Sequence, residues 1–550
     1  MDSALQALYV HSANTSLAMD MTILGIYLHA TFVSFTLGFL LAILAWLIQW
    51  GRTGDELFLR YSKTLSVVWL INFGLGAVTG TIVEFGLLDI WPTSILLFSS
   101  SAFIPLFWEA TIAFIGEAAL AGLFVLGIGR WRLRYVIPLL IATWFLGSLS
   151  GYFILDANSW MNVPWGMGNI PHVLYPFLPT YGPSVANLTA TLTLAALLYH
   201  YTLSGAGSAA LANPSFTGMV GTYLTNPWVV LFNPDAVVTT FHTLLAAYAV
   251  GLGAVALALS VRYLRTRDGR YMRLLRPVLW ALVVVLIVQP TIVGHFMGDT
   301  VVEYQPTKFT ALVTLTGGPG VYGYEFYDPI EALFAYGNPF HPIHGFGYYL
   351  DQCNYLGNMT FAQLYSEVDP DPGITQLLGP LMNTTLASNC RAAVLSLEPL
   401  APLVSAFYYT MIGSGIVIFA AALLVLFTYL LRVPVISSIT DAINNKLLAK
   451  LLRGNDNVLP ALSVVMALGS AVASVAGWAA REVGRQPWTV YGLITTNEVV
   501  TSVPLTPVFV VFVMVVLIAI AVAGTLGMYY AATRPELLDR VRRVVLGGGA

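Results

Sequence analysis

Two carboxylates set into an apolar run raise the question of function. Residues 109–117 read EATIAFIGE inside the longer stretch AFIPLFWEATIAFIGEAALAGLFVLGIG, and an ionised acid in such surroundings is costly unless paired or protonated. On one α-helix Glu109 and Glu117, eight residues apart, stand about 80° apart around the axis and about 12 Å apart along it. Carboxyls at successive depths on one flank suit proton transfer from mid-membrane towards a site near its surface. Other donors interrupt the apolar stretches: His29, Glu84, His242, Met411 and Glu482. A single membrane histidine is most simply a hydrogen bond to a neighbouring helix. Two imidazoles, a thioether and carboxylates in one layer suggest metal or haem ligation instead, while a transporter would use the same residues as a proton relay.

The chain that positions them has 550 residues, 57% hydrophobic and 9% charged, with a mean hydropathy of +0.77. That composition excludes an ordinary soluble domain and reads as an all-α polytopic membrane protein. Runs able to cross a hydrocarbon core of ~30 Å occupy 23–48, 65–88, 103–129, 136–156, 236–261, 278–297, 403–431, 459–480 and 506–532, about nine transmembrane helices. The first run lacks a basic leader and a small-residue cleavage site, so it reads as a retained helix. All 24 basic residues except Lys308, Arg391, Arg481 and Arg485 follow helices 1, 3, 5 and 7 or lie in the C-terminal tail. The positive-inside rule then predicts an outer N-terminus and a cytoplasmic C-terminus. On that topology His29, Glu109, His242 and Met411 lie six to nine residues into inward-running helices, ~9–13 Å deep. Glu482, at the outer end of helix 8, reaches the same layer.

Two long segments, 157–235 and 298–402, are expected on the outer face. They divide the chain into helices 1–6 with an outer insertion at 157–235 (residues 1–297), an extracytoplasmic loop (298–402), and helices 7–9 with a cytoplasmic tail (403–550). NLTATLTLAALLYHYTL (187–203) reads as interfacial or re-entrant, since a tenth span would break the charge parity. TGGPG at 316–320 reads as a turn. Cys353 and Cys390 both fall in the second outer segment, either as a disulfide closing a loop of 37 residues or as two buried thiols. No nucleic-acid partner is expected.

INFGLGAVTGTIVEFG (71–86), the Glu109–Glu117 helix, LSGYFILDANSWMNVP (149–164), NPDAVVTTFHT (233–243) and GWAAREVGRQPW (477–488) carry a resemblance. In type and order they resemble the signatures of the large subunit (subunit I) of cytochrome bd-type quinol oxidases, across nearly all the helical part. The resemblance implies two b-type haems, one low-spin and one high-spin, and one d-type haem (chlorin), or a b haem in its place. His242 and Met411 match the axial ligands of the low-spin haem, a pair that leaves no open site and suits electron transfer. His29 and Glu482 match ligands of the two high-spin haems, in either assignment. Glu109 matches an acid at the oxygen-reducing site and Glu117 the next acid of the proton path. Trp478 matches an aromatic neighbour of the haems, and Arg485 of the GRQPW stretch joins the cofactor-binding set. Lys308 in QPTKFTALV matches a quinol-site lysine.

The function so implied is a terminal oxidase subunit in the cell membrane. It oxidises membrane quinol at the outer face and reduces O2 to water with cytoplasmic protons, beside a second membrane subunit in a hetero-oligomer. A haem-poor structural or regulatory paralogue, or a proton-coupled transporter on the same scaffold, is the alternative. This sequence also departs from the family pattern. Val313 stands where an acid is expected five residues after Lys308, Tyr409 where an arginine precedes the methionine ligand, and Ala118 where a serine follows the second glutamate. The chain between Trp160 and His242 is also longer than in familiar members. Glu303 and Asp299 are then the expected substitutes for the missing acid.

Overall fold

Helix boundaries follow the local chemistry of the chain. The computed structural model describes residues 3–94, 103–186, 226–368, 379–443, 457–501, 503–533 and 540, and 187–203 falls outside them. Among the described residues, nine helices are long and apolar enough to cross a membrane. They are α1 (Ala13–Thr53, after a short helix Ser3–Tyr9), α2 (Glu56–Ile90), α3 (Phe103–Gly127), α4 (Leu133–Asn162), α5 (Pro234–Thr266), α6 (Gly269–Tyr304), α7 (Leu386–Leu430), α8 (Val458–Val483) and α9 (Pro507–Ala532). Ser12 caps α1 by accepting from the Thr15 N–H. Gly54, at φ 69°, ends it in the left-handed conformation, and Asp55 at once caps α2. Asn233 and Asp268 cap α5 and α6 in the same way.

The helices overrun the apolar runs that announce them. Because α1 starts at Ala13, His29 lies sixteen residues along it rather than six. Glu84 lies within α2, which continues to Ile90, and it is exposed. Hydropathy marks only the apolar part of a helix, so polar turns that continue the helix are missed. Three stretches widen to π-helical hydrogen bonding: Glu109–Phe114 in α3, Gln289–Val293 in α6 and Leu426–Leu430 in α7. Two of them begin at or hold a polar residue of the candidate site.

Lipid offers helices no hydrophobic drive to associate, so close backbone approach and polar contacts decide their packing. A Cβ on Gly251 of α5 would lie 2.3 Å from the Ser34 carbonyl oxygen of α1, and one on Gly38 would lie 2.5 Å from the Gly251 Cα. These two helices therefore touch backbone to backbone. Trp69 Nε1 donates to the Thr36 carbonyl (3.0 Å), Asn72 Nδ2 to the Phe32 carbonyl (2.8 Å), and Trp46 Nε1 to the Leu274 carbonyl (2.9 Å), joining α2 and α6 to α1.

At one end of the bundle Ser3–Tyr9, residues 163–181, 301–404 and the stretch after α8 share an apolar core. It includes Tyr175, Tyr181, Phe346, Tyr349, Trp488 and Tyr491. The described residues of the expected loop 298–402 between α6 and α7 therefore form a packed cap that contains several short helices. Cys353 and Cys390 are bridged, tying the helix Phe346–Asn354 to the start of α7. Thr314–Gly317 is a helical turn that runs into a 3-10 turn at Gly318–Tyr322. Three two-stranded antiparallel pairs, Met167–Gly168 with Tyr181–Ser184, Glu325–Phe326 with Ile343–His344, and Trp488–Val490 with Ile494–Thr495, complete the described cap.

Gly251→Val should lower unfolding stability in detergent by about 1–3 kcal/mol or more, read as a fall in the thermal midpoint. Gly122→Val on α3, where an added Cβ meets nothing within 4 Å, should leave it close to wild type.

Candidate functional site

The last turn of α8 gathers polar side chains from three distant parts of the chain. Arg481 donates from Nη2 to Asp235 Oδ2 (2.7 Å), from Nε to Asn158 Oδ1 (2.9 Å) and from Nη1 to Thr239 Oγ1 (3.1 Å). Asp235, 0% exposed, is fixed in the first turn of α5 because Asn233 caps that helix and donates from Nδ2 to the Val163 carbonyl (2.9 Å). Asn158 passes the network on, donating to Glu482 Oε1 (3.0 Å), whose Oε2 accepts from Arg485 Nη2 (2.6 Å). One turn further along α4, Asn162 Oδ1 accepts from Lys308 Nζ (2.8 Å), and Lys308 also donates to Gln305 Oε1. Lys308, Arg481, Glu482 and Arg485 thus stand in one neighbourhood.

Lys308 is only 1% exposed. Burial, aided by the Arg481 charge, holds its ammonium well below the usual lysine range, against the pull of Glu482. It is an internal member of the network, with its stem against Gly484 and Val404. Arg485 is buried as well, and its Nε and Nη1 have no partner among the described residues. Asp156, two residues before Asn158, is buried with neither carboxyl oxygen hydrogen-bonded among the described residues.

The histidines and the methionine occupy gaps left by glycine or lie beside polar partners. His29 Nδ1 is 3.3 Å from Thr79 Oγ1, and its ring fills the space over Gly80, where a Cβ would lie 2.8 Å from Cε1. Met411 Sδ lies where a Cβ on Gly477 would come within 2.8 Å, beside half-buried Trp478 in sequence. His242 Nδ1 is 3.2 Å from Gln289 Nε2, which also donates to the His242 carbonyl (3.0 Å), and Gln289 Oε1 has no partner. No hydrogen bond joins His242 to Met411, although α5 and α7 both pack on α8. Among the described residues no three of His, Cys, Asp and Glu converge on a point fit for a bare metal ion.

The two glutamates of α3 face one side of α4. Ser150 Oγ donates to Glu109 Oε1 (2.7 Å), and the Glu117 carboxyl, 5% exposed, occupies the space over Gly147, whose added Cβ would lie 2.5 Å from Oε1. Gly147 and Ser150 are three residues apart on α4 and so share a face. The wide turn at Glu109–Phe114 accounts for this alignment. Counted as one inserted residue, it leaves seven α-helical steps between the acids, ~20° from a straight line instead of the expected ~80°.

Of the acids expected to replace the one missing at Val313, neither partners Lys308. Glu303 is exposed, and Asp299 pairs with His295 at 3.6 Å. A different acid answers Tyr409: Glu331, in the short helix Pro329–Tyr336, accepts from Tyr409 Oη (2.9 Å) and Tyr408 Oη (3.2 Å). Sequence reading passed over Asp235, Asn158, Asn162, Arg481, Gln289, Gly147 and Glu331. The first four stand in or beside the quoted stretches, where a polar residue next to a named one was the available signal. Glu331 had none, lying in a segment read as loop.

The family model described as cytochrome bd terminal oxidase subunit I matches residues 17–535. Cytochrome bd-II ubiquinol oxidase subunit 1 of Escherichia coli (strain K12) is 34% identical over 143 residues, 25% of this chain and 27% of that protein. Cytochrome bd ubiquinol oxidase subunit 1 of Bacillus subtilis (strain 168) is 31% identical over 140 residues, 25% of this chain and 30% of that protein. Both alignments span less than a third of the relative. The solved structure of bd oxidase from Geobacillus thermodenitrificans shares the fold, with a TM-score of 0.63 at 17% identity over 94% of this chain and 98% of the matched one.

Asp235→Ala would leave the Arg481 guanidinium buried without its counter-charge. The expected cost is about 3–5 kcal/mol, read by thermal unfolding in detergent, with a smaller loss for Asp235→Asn, which keeps an acceptor.

Proposed function

The chain belongs to the family of cytochrome bd terminal oxidase subunit I, and from that premise we propose that it is the haem-bearing subunit of an oxidase coupling membrane quinol to oxygen. It is a multi-pass protein of the cell membrane. Quinol would be oxidised at the outer face and oxygen reduced to water with protons from the cytoplasm, a high-spin haem pair supplying the oxygen-reducing centre when bound. A second membrane subunit completes a hetero-oligomer, and the 298–402 segment carries the quinol site. The observation that carries this reading is the family match over residues 17–535.

The side chains fit haem. Met411 and His29 occupy spaces kept open by Gly477 and Gly80. The unpartnered Nε and Nη1 of Arg485 suit an anionic group such as a macrocycle carboxylate. His242 and Met411 would hold the low-spin b haem, His29 and Glu482 would hold the high-spin b haem and the d-type chlorin or a second b haem, and Trp478 would line them. When bound, haem supplies the iron for electron transfer and oxygen reduction.

The chain's own work is with protons and charge. Glu117 takes up a proton at a carboxyl that fills the space over Gly147, with no ion-pair partner among the described residues. Glu109, held by Ser150, receives the proton one step nearer the outer side. Asn158 and Arg485 orient Glu482, and Arg481 with Asp235 fixes the end of α8 that carries it. A haem-poor paralogue or a proton-coupled transporter on this scaffold would lack a haem redox difference spectrum.

His242→Ala or Met411→Ala should abolish the low-spin haem signal while the high-spin signals remain, since each haem depends on its own axial ligands. An unchanged low-spin spectrum in His242→Ala refutes the assignment. Glu117→Gln should slow oxygen reduction about 100-fold or more with haem content retained, because an amide keeps the shape but carries no proton. Oxygen consumption at the wild-type rate would exclude Glu117 from the proton path.

A further inference from the structure

A second buried acidic site lies on the helix Pro329–Tyr336, outside the network around Arg481. Glu331 and Asp328 are each 7% exposed. Both Glu331 oxygens accept from phenols of α7, and Tyr409 Oη also meets Thr316 Oγ1 at 2.5 Å. Asp328 caps the helix, its Oδ1 accepting from the Glu331 N–H (3.2 Å), while its Oδ2 is buried without a partner among the described residues. Among the described residues no Lys or Arg is paired with either acid. Burial raises the Glu331 carboxyl above the usual range, against the two phenol hydrogen bonds, and the Asp328 charge adds to the rise.

This chemistry selects its ligand. Two carboxylates without a cation repel anions, and phenolic and threonine hydroxyls offer both donors and acceptors to a neutral group. A ring hydroxyl can donate to Glu331 in place of one tyrosine and accept from the Tyr409 or Thr316 hydroxyl so released. Around the acids Tyr327, Ile330, Leu333 and Phe334 are exposed, an apolar rim suited to a lipid-soluble molecule. Tyr409 is two residues before Met411 on α7, so the site sits on the helix that bears that thioether.

We infer that Glu331, Tyr408 and Tyr409, with Asp328, form the hydroxyl-recognition site for the head of a lipid-soluble hydroquinone. This rests on the quinol reading above and places the ring contact on α7 rather than on Lys308, Glu303 or Asp299. Lys308 then acts through the network it belongs to and not as a ring contact.

The test is photolabelling of the intact protein, purified with its haems, by a short-tailed hydroquinone bearing a diazirine under anaerobic conditions, with peptides mapped by mass spectrometry. Labelling competed by the unmodified hydroquinone should fall on residues 327–336 and 403–410. Glu331→Gln should weaken hydroquinone binding about tenfold with an unchanged haem difference spectrum, and Tyr409→Phe should weaken it less. If Glu331→Gln loses the haem spectrum, Tyr409→Phe decides. Competed labels confined to the peptides around Lys308 overturn the site and leave the quinol reading standing, as does wild-type affinity in every variant that keeps its haems. No competed labelling anywhere overturns both.

Discussion

The buried ion pair between Arg481 and Asp235 is the contact on which the polar end of the bundle depends. Its two side chains are 8% and 0% exposed, so neither charge finds water, and each is tolerable only because the other is there. Arg481 spends its remaining donors on Asn158 and Thr239. One guanidinium thereby fixes α8 against both α4 and α5. The fork geometry matters, since a lysine at this position would offer no planar array for three acceptors on two helices. Glu482 follows Arg481 directly, so any loosening of the pair would move Glu482, Arg485 and, through Asn158 and Asn162, the neighbourhood of Lys308.

A second constraint is volume. His29, Glu117, Lys308 and Met411 each lie against a glycine, at Gly80, Gly147, Gly484 and Gly477, where an added Cβ would come within about 3 Å of the side chain. A close-packed interior offers no spare room for groups that hold a cofactor or carry a proton. In this bundle the room comes from leaving out a methyl group on the facing helix. Placing glycine in a helix weakens it locally, and the direct contact of α1 with α5 at Gly38 and Gly251 returns packing that side chains would otherwise supply.

The cap explains how charged groups persist at the end of an apolar bundle. Lys308, Gln305 and Arg485 are covered by a core that includes Tyr181, Tyr349, Trp488 and Tyr491, and Thr307 and Tyr491 hydrogen-bond to each other beside them. The Cys353–Cys390 bridge joins two helices of that core. Solvent is kept from the network while the network is held to the helices beneath, which is what a site working on buried charges requires.

Hydropathy alone determined the helical architecture, because a helix in lipid must be long, apolar and internally hydrogen-bonded. The nine spans stand in the structure in the predicted order. Ionisable or soft side chains at 29, 109, 117, 242, 411 and 482 stood out in or at the end of apolar runs, whereas Arg485 entered only through the resemblance. What the tertiary structure decided is which of them share a neighbourhood. Asp235 and Arg481 are 246 residues apart, and no local pattern predicts that they pair. The wide turn that brings Glu109 and Glu117 into line depends on hydrogen-bond register, which the spacing of apolar residues does not encode. Lys308 was named through the resemblance, yet its burial follows from a cap whose core is assembled from four separate stretches of chain. Glu331 was invisible for the same reason: its meaning lies in two phenols on another helix, and only folding puts them there.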